Sequence, residues 1–252
     1  MSETATRPYG IDFGGSGIKA APVDLERGEF AAERLRIPTP EHASPEKVAD
    51  VVHELLDRTG APADAPVGIT VPGVVRHGVV RTAANIDESW IGTDAEALFC
   101  ERLSRRVAVI NDADAAGLAE VHYGAAAGQS GLVIVTTLGT GIGSALVHDG
   151  VLIPNSELGH LEVDGHDAES RAANSVRERD DLSWEDWAAL LTRYYRTVEL
   201  LFSPDLFVVG GGVSKHAEKY LPLLEIETPI VPATLKNTAG IVGAALLAHE
   251  HH

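Results

Sequence analysis

The sequence predicts an α/β protein built as two lobes with a cleft between them. Its 252 residues exceed the ~100–150 of an ordinary single domain. Strand and helix patterns succeed one another along the chain. A glycine-rich turn after a strand occurs near Gly14 and again near Gly139, at comparable places in the two halves, which suggests a duplicated lobe. The boundary is placed after the short strand ending at Ile110. Residues 1–110 form an N-terminal small lobe completed by a C-terminal helix, 238–252, and residues 111–237 form the larger C-terminal lobe.

Tyr9 to Phe13, Ile18 to Val23 and Phe30 to Ile37 read as three strands of an antiparallel meander joined by glycine-containing turns. A helix follows: Ser44 as N-cap, Pro45 at the first helical position, apolar residues from Val48 to Leu56 at helical spacing, and Gly60 as the stop. Pro66 to Val71 is a buried-looking strand, Val74 to Arg81 a hairpin around His77-Gly78, and Thr93 the cap of a helix of about three turns. Val107 to Ile110 is a short strand, with a helix from Ala115 to Tyr123 closing at Gly124. Leu132 to Thr137 and Ser144 to His148 pair around a glycine loop, and an irregular polar segment runs to about Asp181. Ser183 and Asp186 open a long helix whose Trp187, Leu190, Leu191, Tyr194, Val198 and Leu201 share a face. Leu206 to Val209 is a last buried strand ending in Gly210-Gly211-Gly212, and Thr238 to His249 a terminal helix.

Cys100 is the single cysteine, which excludes disulfides and thiolate zinc clusters and suits a reducing cytosol. The first ten residues carry no apolar signal region, and no stretch reaches the ~18 apolar residues of a membrane span. A formal charge of −17 argues against nucleic-acid or anionic-membrane partners, which need a basic face. A polyanionic substrate would need a local basic groove, for which Lys19, Arg76, Arg81, Lys215 and Lys236 are candidates.

Four segments carry chemistry. In Asp12-Phe13-Gly14-Gly15-Ser16-Gly17-Ile18-Lys19, glycines let backbone amides close on an anion, with Ser16 and Lys19 as further donors. The spacing matches neither a P-loop nor a dinucleotide fingerprint, and the same residues also make an ordinary hairpin. Thr137-Leu138-Gly139-Thr140-Gly141-Ile142-Gly143 has the same two readings. Asn111-Asp112, between strand and helix, is either nothing more than a cap or supplies a general base at a cleft mouth, Asp112, that takes a hydroxyl proton while Mg²⁺ and loop amides neutralise phosphate. Glu157-Leu158-Gly159-His160 lies in aperiodic chain and can bracket sugar hydroxyls. A metal site from His160, Asp164, His166 and Asp167 competes, without a recognised spacing.

Together and in this order, these segments resemble the sugar kinases of the ROK family, within the actin, hexokinase and Hsp70-like ATPase superfamily, and most specifically its actinobacterial polyphosphate glucokinase branch. The resemblance covers nearly the whole chain and implies the two-lobed actin-like, ribonuclease H-like fold. It implies Asp12 beside the metal (Mg²⁺, through phosphate or water) and phosphates. Gly14, Gly15, Ser16, Gly17 and Lys19 would hold the donor, with Thr137, Gly139, Thr140 and Gly141 as second phosphate loop and Gly210, Gly211 and Gly212 as the nucleotide-side turn. Asp112 would be the catalytic base, and Asn85, Asn111, Asp112, Glu157, His160 and Glu169 would bind the sugar, Glu169 being preferred over Glu162.

Many ROK kinases carry a cysteine-rich zinc site after the Glu-x-Gly-His segment. No cysteine follows His160, which fits the polyphosphate branch and implies no zinc. The family's repressors add an N-terminal helix-turn-helix, whereas the first strand here begins at about Tyr9. The implied activity is a cytoplasmic, homodimeric glucokinase forming glucose 6-phosphate from glucose and polyphosphate. An ATP-dependent glucokinase and a sugar-sensing protein without catalysis are the alternatives.

Overall fold

The computed structural model describes residues 6–83 and 86–251. They divide into two compact units, one holding the residues up to Ala115 together with those from Thr238 onward, the other Ala116–Asn237.

The first unit is built on strands β1 (Tyr9–Gly14), β2 (Gly17–Asp24), β3 (Glu29–Phe30) and β4 (Leu35–Ile37), helix α1 (Pro45–Thr59), and strand β5 (Val67–Val71). Hairpin β6 (Val75–Arg76) and β7 (Val79–Val80), helix α2 (Ala95–Leu103) and strand β8 (Val107–Asn111) follow. The sheet runs β3-β2-β1-β5-β8, with β4 also on β2; β1, β5 and β8 are parallel, and β1–β2 antiparallel. Alternation gives each strand two faces. Ile11, Phe13, Ile69 and Val71 join Val48, Val52 and Leu55 of α1 and Phe99 of α2 in one core. Gly10 and Gly68 point the other way, onto the C-terminal helix Ala239–Glu250, where an added Cβ would fall on the carbonyls of Ile241 and Ala244. Asp12 and Thr70 share that second face, at the carboxyl ends of parallel strands, the usual ligand-binding edge of such sheets.

α1 is delimited as its sequence requires. Ser44 accepts from the Lys47 amide, Pro45 opens the helix, and Gly60 closes it at φ 67°. The β6–β7 turn takes the left-handed φ at both His77 and Gly78, as a two-residue hairpin loop demands.

Helix α3 (Asp112–Tyr123) carries the chain into the second unit. Its sheet comprises β9 (Leu132–Leu138), β10 (Ile142–His148), β11 (Val151–Ile153), and later β14 (Leu206–Gly210) and β15 (Ile230–Pro232), in the order β11-β10-β9-β14-β15. Between lie the hairpin β12 (Glu162–Val163) and β13 (His166–Asp167), helices α4 (Glu169–Ala172) and α5 (Asn174–Arg179), and the long α6 (Trp184–Phe202). Ile134, Phe207 and Val209 form one core with Trp187, Leu191, Tyr194 and Tyr195 of α6. Val133, Val135 and Val208 on the opposite face meet Val121 of α3. Among the described residues no helix is long and apolar enough to cross a membrane.

The structure departs from the sequence-based expectation in four places. The strand expected over Phe30 to Ile37 is two strands, because the register against β2 slips between Val23↔Phe30 and Ala20↔Leu35; Pro22 lies between and has no N–H to continue the ladder. The α2 cap is Asp94, whose carboxylate accepts from Ala97, while Thr93 donates to the Ser89 carbonyl. The segment before Asp181 is not irregular, since it holds β11 to β13, α4 and α5. Leu201 leaves the α6 core face and is 58 % exposed.

One buried carboxylate fastens the second unit. Glu120, 1 % exposed, accepts from the amides of Ala125 at 2.8 Å, Thr234 at 3.2 Å and Leu235 at 2.8 Å. A buried donor left without a partner costs roughly 1–3 kcal/mol. Glu120→Ala is therefore expected to lower unfolding stability by at least about 3 kcal/mol, with Glu120→Gln recovering part of it because one acceptor oxygen remains. Urea denaturation checks this; an unchanged midpoint in Glu120→Ala would contradict it.

Candidate active site

The first unit gathers its polar residues at the ends of β1, β5 and β8. Lys19 Nζ lies 2.6 Å from Asp12 Oδ2, with both side chains about three-quarters buried. Their Cα atoms are register partners across β1 and β2, so the pairing follows directly from the hairpin. Thr70, fully buried, bridges the same group: its hydroxyl accepts from the Phe13 amide at 3.1 Å and donates to Asp12 Oδ1 at 3.4 Å. The Gly14 to Gly17 turn closes this hairpin as a pair Gly14↔Gly17. None of its residues needs a positive φ.

At the end of β8 the two readings of Asn111-Asp112 separate. Asn111 is 7 % exposed; its Oδ1 accepts from the amides of Ala113 at 2.8 Å and Asp114 at 3.1 Å, and its Nδ2 donates to the Gly73 carbonyl at 3.0 Å. Asn111 is thus the cap. Asp112 is the first helical residue, exposed, with Oδ1 receiving the Ala113 amide at 2.9 Å.

In the second unit the loop between β9 and β10 is the meeting point. Glu169 reaches back from the start of α4 to accept from the Ile142 amide at 3.0 Å, and a Cβ on Gly141 would fall on its carboxylate. A Cβ on Gly159 would fall on the Ile142 carbonyl. Gly211 holds φ 83° against the Leu138 backbone, where only glycine fits. Ser175 fixes the loop from α5, its amide on the Gly139 carbonyl at 3.0 Å and its hydroxyl on the Thr140 carbonyl at 2.6 Å. Gly159 and Gly211 are thus explained by their close approach to this loop, and Gly141 within it by the close approach of Glu169. Gly210 and Gly212 meet no such constraint, and Thr137 continues β9 opposite Gly143 and Gly210.

Glu157, His160 and Glu169 come together beside this loop. His160 Nδ1 is 2.9 Å from Asp167 Oδ2, and its Nε2 is 3.9 Å from Glu157. The hydrogen bond to Asp167 raises the His160 pKa above its ordinary value. Partial burial raises the Glu157 carboxyl, a shift that His160 opposes. Donor atoms of His160, Asp167 and Glu169 lie within 4.8 Å of one another, close enough to share a cation. Asp164 and His166 turn elsewhere, to Arg193 at 2.6 Å and Arg171 at 2.9 Å. Glu162 is exposed on β12.

Asn85 lies outside the described residues. Of the candidate basic residues, Lys19 is paired with Asp12, whereas Arg76, Arg81, Lys215 and Lys236 are exposed. Sequence reasoning missed Thr70 and Ser175, and named Asp167 only as a metal-ligand candidate, not as the hydrogen-bond partner of His160. A lone hydroxyl within the buried run Val67–Val71 was the available signal for Thr70; Asp167 and Ser175 are recognisable only through their partners.

Because Asp167 stabilises the imidazolium, this pair favours the folded state below the unfolded His pKa, and that contribution is lost as pH rises through the folded value. An NMR titration of the His160 ring is expected to show a midpoint above that of an unstructured histidine, falling in Asp167→Asn. An unchanged midpoint in the variant would contradict the assignment.

The ROK family model matches residues 8–175. The polyphosphate glucokinase of Mycobacterium tuberculosis is 52% identical over 244 residues, covering 96% of this chain and 91% of that protein. The crystal structure of the inorganic polyphosphate/ATP-glucomannokinase of Arthrobacter sp. strain KM is 57% identical with a TM-score of 0.93, covering 98% of this chain and 100% of that one. A ROK family glucokinase of Streptomyces griseus, solved with glucose and AMPPNP, shares the fold at 24% identity and a TM-score of 0.81, over 97% and 99% of the two chains. The chain belongs to the ROK family and has the two-domain actin-like ATPase fold of its sugar kinases.

Proposed function

We propose that this chain is a polyphosphate-dependent glucokinase, a cytoplasmic homodimer that transfers the terminal phosphoryl group of polyphosphate to the 6-hydroxyl of glucose. The observation that carries the chemistry is the division of labour at the end of β8: Asn111 caps the helix, and Asp112 is exposed at its first position. Substrate and donor follow from the relatives, a polyphosphate glucokinase at 52% identity and a polyphosphate/ATP-glucomannokinase at 57%.

In this reading Glu157, His160 and Glu169 hold glucose hydroxyls. The raised His160 pKa keeps the ring a donor over a wider pH range, while the carboxylates accept. Asn111 has one amide proton beyond its bond to Gly73 for the sugar, and Asn85 adds a further contact. Asp112 accepts the 6-hydroxyl proton as that oxygen bonds to the terminal phosphorus in line. The terminal P–O anhydride bond breaks, and the products are glucose 6-phosphate and polyphosphate shortened by one unit. The Gly14 to Gly17 turn with Lys19, the loop of Thr137, Gly139, Thr140 and Gly141, and the Gly210 to Gly212 turn receive the donor.

Asp12 fits a Mg²⁺ held through water or phosphate rather than by an all-protein cage, because its two oxygens already face Lys19 and Thr70. When bound, Mg²⁺ would neutralise charge on the transferring group. ATP is a second donor in this reading, favoured by the Arthrobacter neighbour's name and by the Gly210 to Gly212 turn.

Asp112→Asn is expected to lower kcat by about 10²–10⁴-fold while glucose binding persists, read by coupled glucose 6-phosphate detection and calorimetry. Near-wild-type turnover would overturn the base assignment. A wild-type chain that binds glucose and forms no product with any donor would favour the sugar-sensing alternative.

A further inference from the structure

We infer that Arg36, on the edge strand β4, is a donor-binding residue that receives phosphate oxygens of the polyphosphate chain at the Gly14 to Gly17 turn; this rests on the proposed use of a phosphate-chain donor. Three observations place it there. Asp12, Lys19 and Arg36 form a row across β1, β2 and β4, being register partners in turn, so their side chains rise from the same face. Asp12 pairs with Lys19 at 2.6 Å, which leaves the guanidinium as the positive charge of the row. Among the described residues Arg36 has one protein partner, the Ser16 carbonyl, and no carboxylate pairs with it. The rest of its rigid fork of N–H donors is thus turned to solvent at the mouth of the turn.

The turn itself is shaped around this side chain. A Cβ on Gly17 would lie 2.7 Å from Arg36 Cζ and Nη2, so glycine there leaves the space the guanidinium occupies. Two carbonyls of the turn accept hydrogen bonds from the same segment, Ser16 from Arg36 and Gly14 from the Thr39 hydroxyl. Covering these oxygens removes their repulsion of an anion. In a chain of net charge −17, an uncompensated guanidinium beside a glycine turn supplies the local attraction that a polyanion needs.

Direct binding and turnover together test this. Calorimetric titration with long-chain polyphosphate is expected to give a Kd about ten-fold higher in Arg36→Ala than in wild type, as for loss of one charge-assisted phosphate contact. Arg36→Lys should recover part of the loss. In steady state the KM for polyphosphate rises correspondingly, while the KM for glucose and kcat at saturating donor stay unchanged. Gly17→Ala, which displaces the guanidinium, should shift the polyphosphate Kd in the same direction. An unchanged Kd in Arg36→Ala, or a loss carried by glucose KM instead, overturns the inference. A wild type that binds polyphosphate through Arg36 and makes no glucose 6-phosphate from it would leave the inference standing and overturn the proposed function.

Discussion

At the carboxyl end of the central strand, Lys19 and Asp12 stand 2.6 Å apart across the first hairpin, and the character of the whole N-terminal cluster follows from that pair. The hairpin register makes the contact unavoidable. Thr70, anchored by the Phe13 amide, fixes the other carboxylate oxygen. A carboxylate held on both oxygens suits an outer position toward a magnesium ion. A lysine already compensated by it contributes little net charge of its own, so attraction for a polyanionic donor has to come from the turn and from a second cation, which is the place Arg36 takes.

The second unit reaches the same end by close approach. Gly141, Gly159 and Gly211 each sit where a side chain would strike another motif, and Ser175 and Glu169 hold the loop from α5 and α4. Segments separated by up to about seventy residues in sequence are thereby drawn to Leu138–Ile142. Glu157, His160 and Glu169 gather beside that loop, and the hydrogen bond to Asp167 raises the pKa of the histidine. Small residues are thus distributed here by packing and charged residues by the loops that packing holds still.

Much of this is legible in the amino-acid sequence. Ser44-Pro45 and Gly60 delimit α1 because capping is local chemistry, and His77-Gly78 makes its hairpin for the same reason. The glycine-bearing motifs were visible as motifs. What the sequence hid is what depends on register or on distant partners. Pro22 on one strand breaks the strand opposite it; Asp94 outcompetes the adjacent Thr93 for a cap; and the polar run before Asp181 contains two helices too short for periodicity to reveal. Arg36 was one arginine among many until pairing with β2 set it opposite Lys19. Of Asn111 and Asp112, adjacent and similar in propensity, the hydrogen bonds identify the cap as Asn111, which accepts from the Ala113 and Asp114 amides.

Which donor the chain uses is decided by measuring glucose 6-phosphate formation by the purified protein with Mg²⁺, comparing polyphosphate with ATP at matched phosphoryl concentration. Turnover is expected to be faster with polyphosphate. A clear preference for ATP would contradict this, leaving the family and the fold in place.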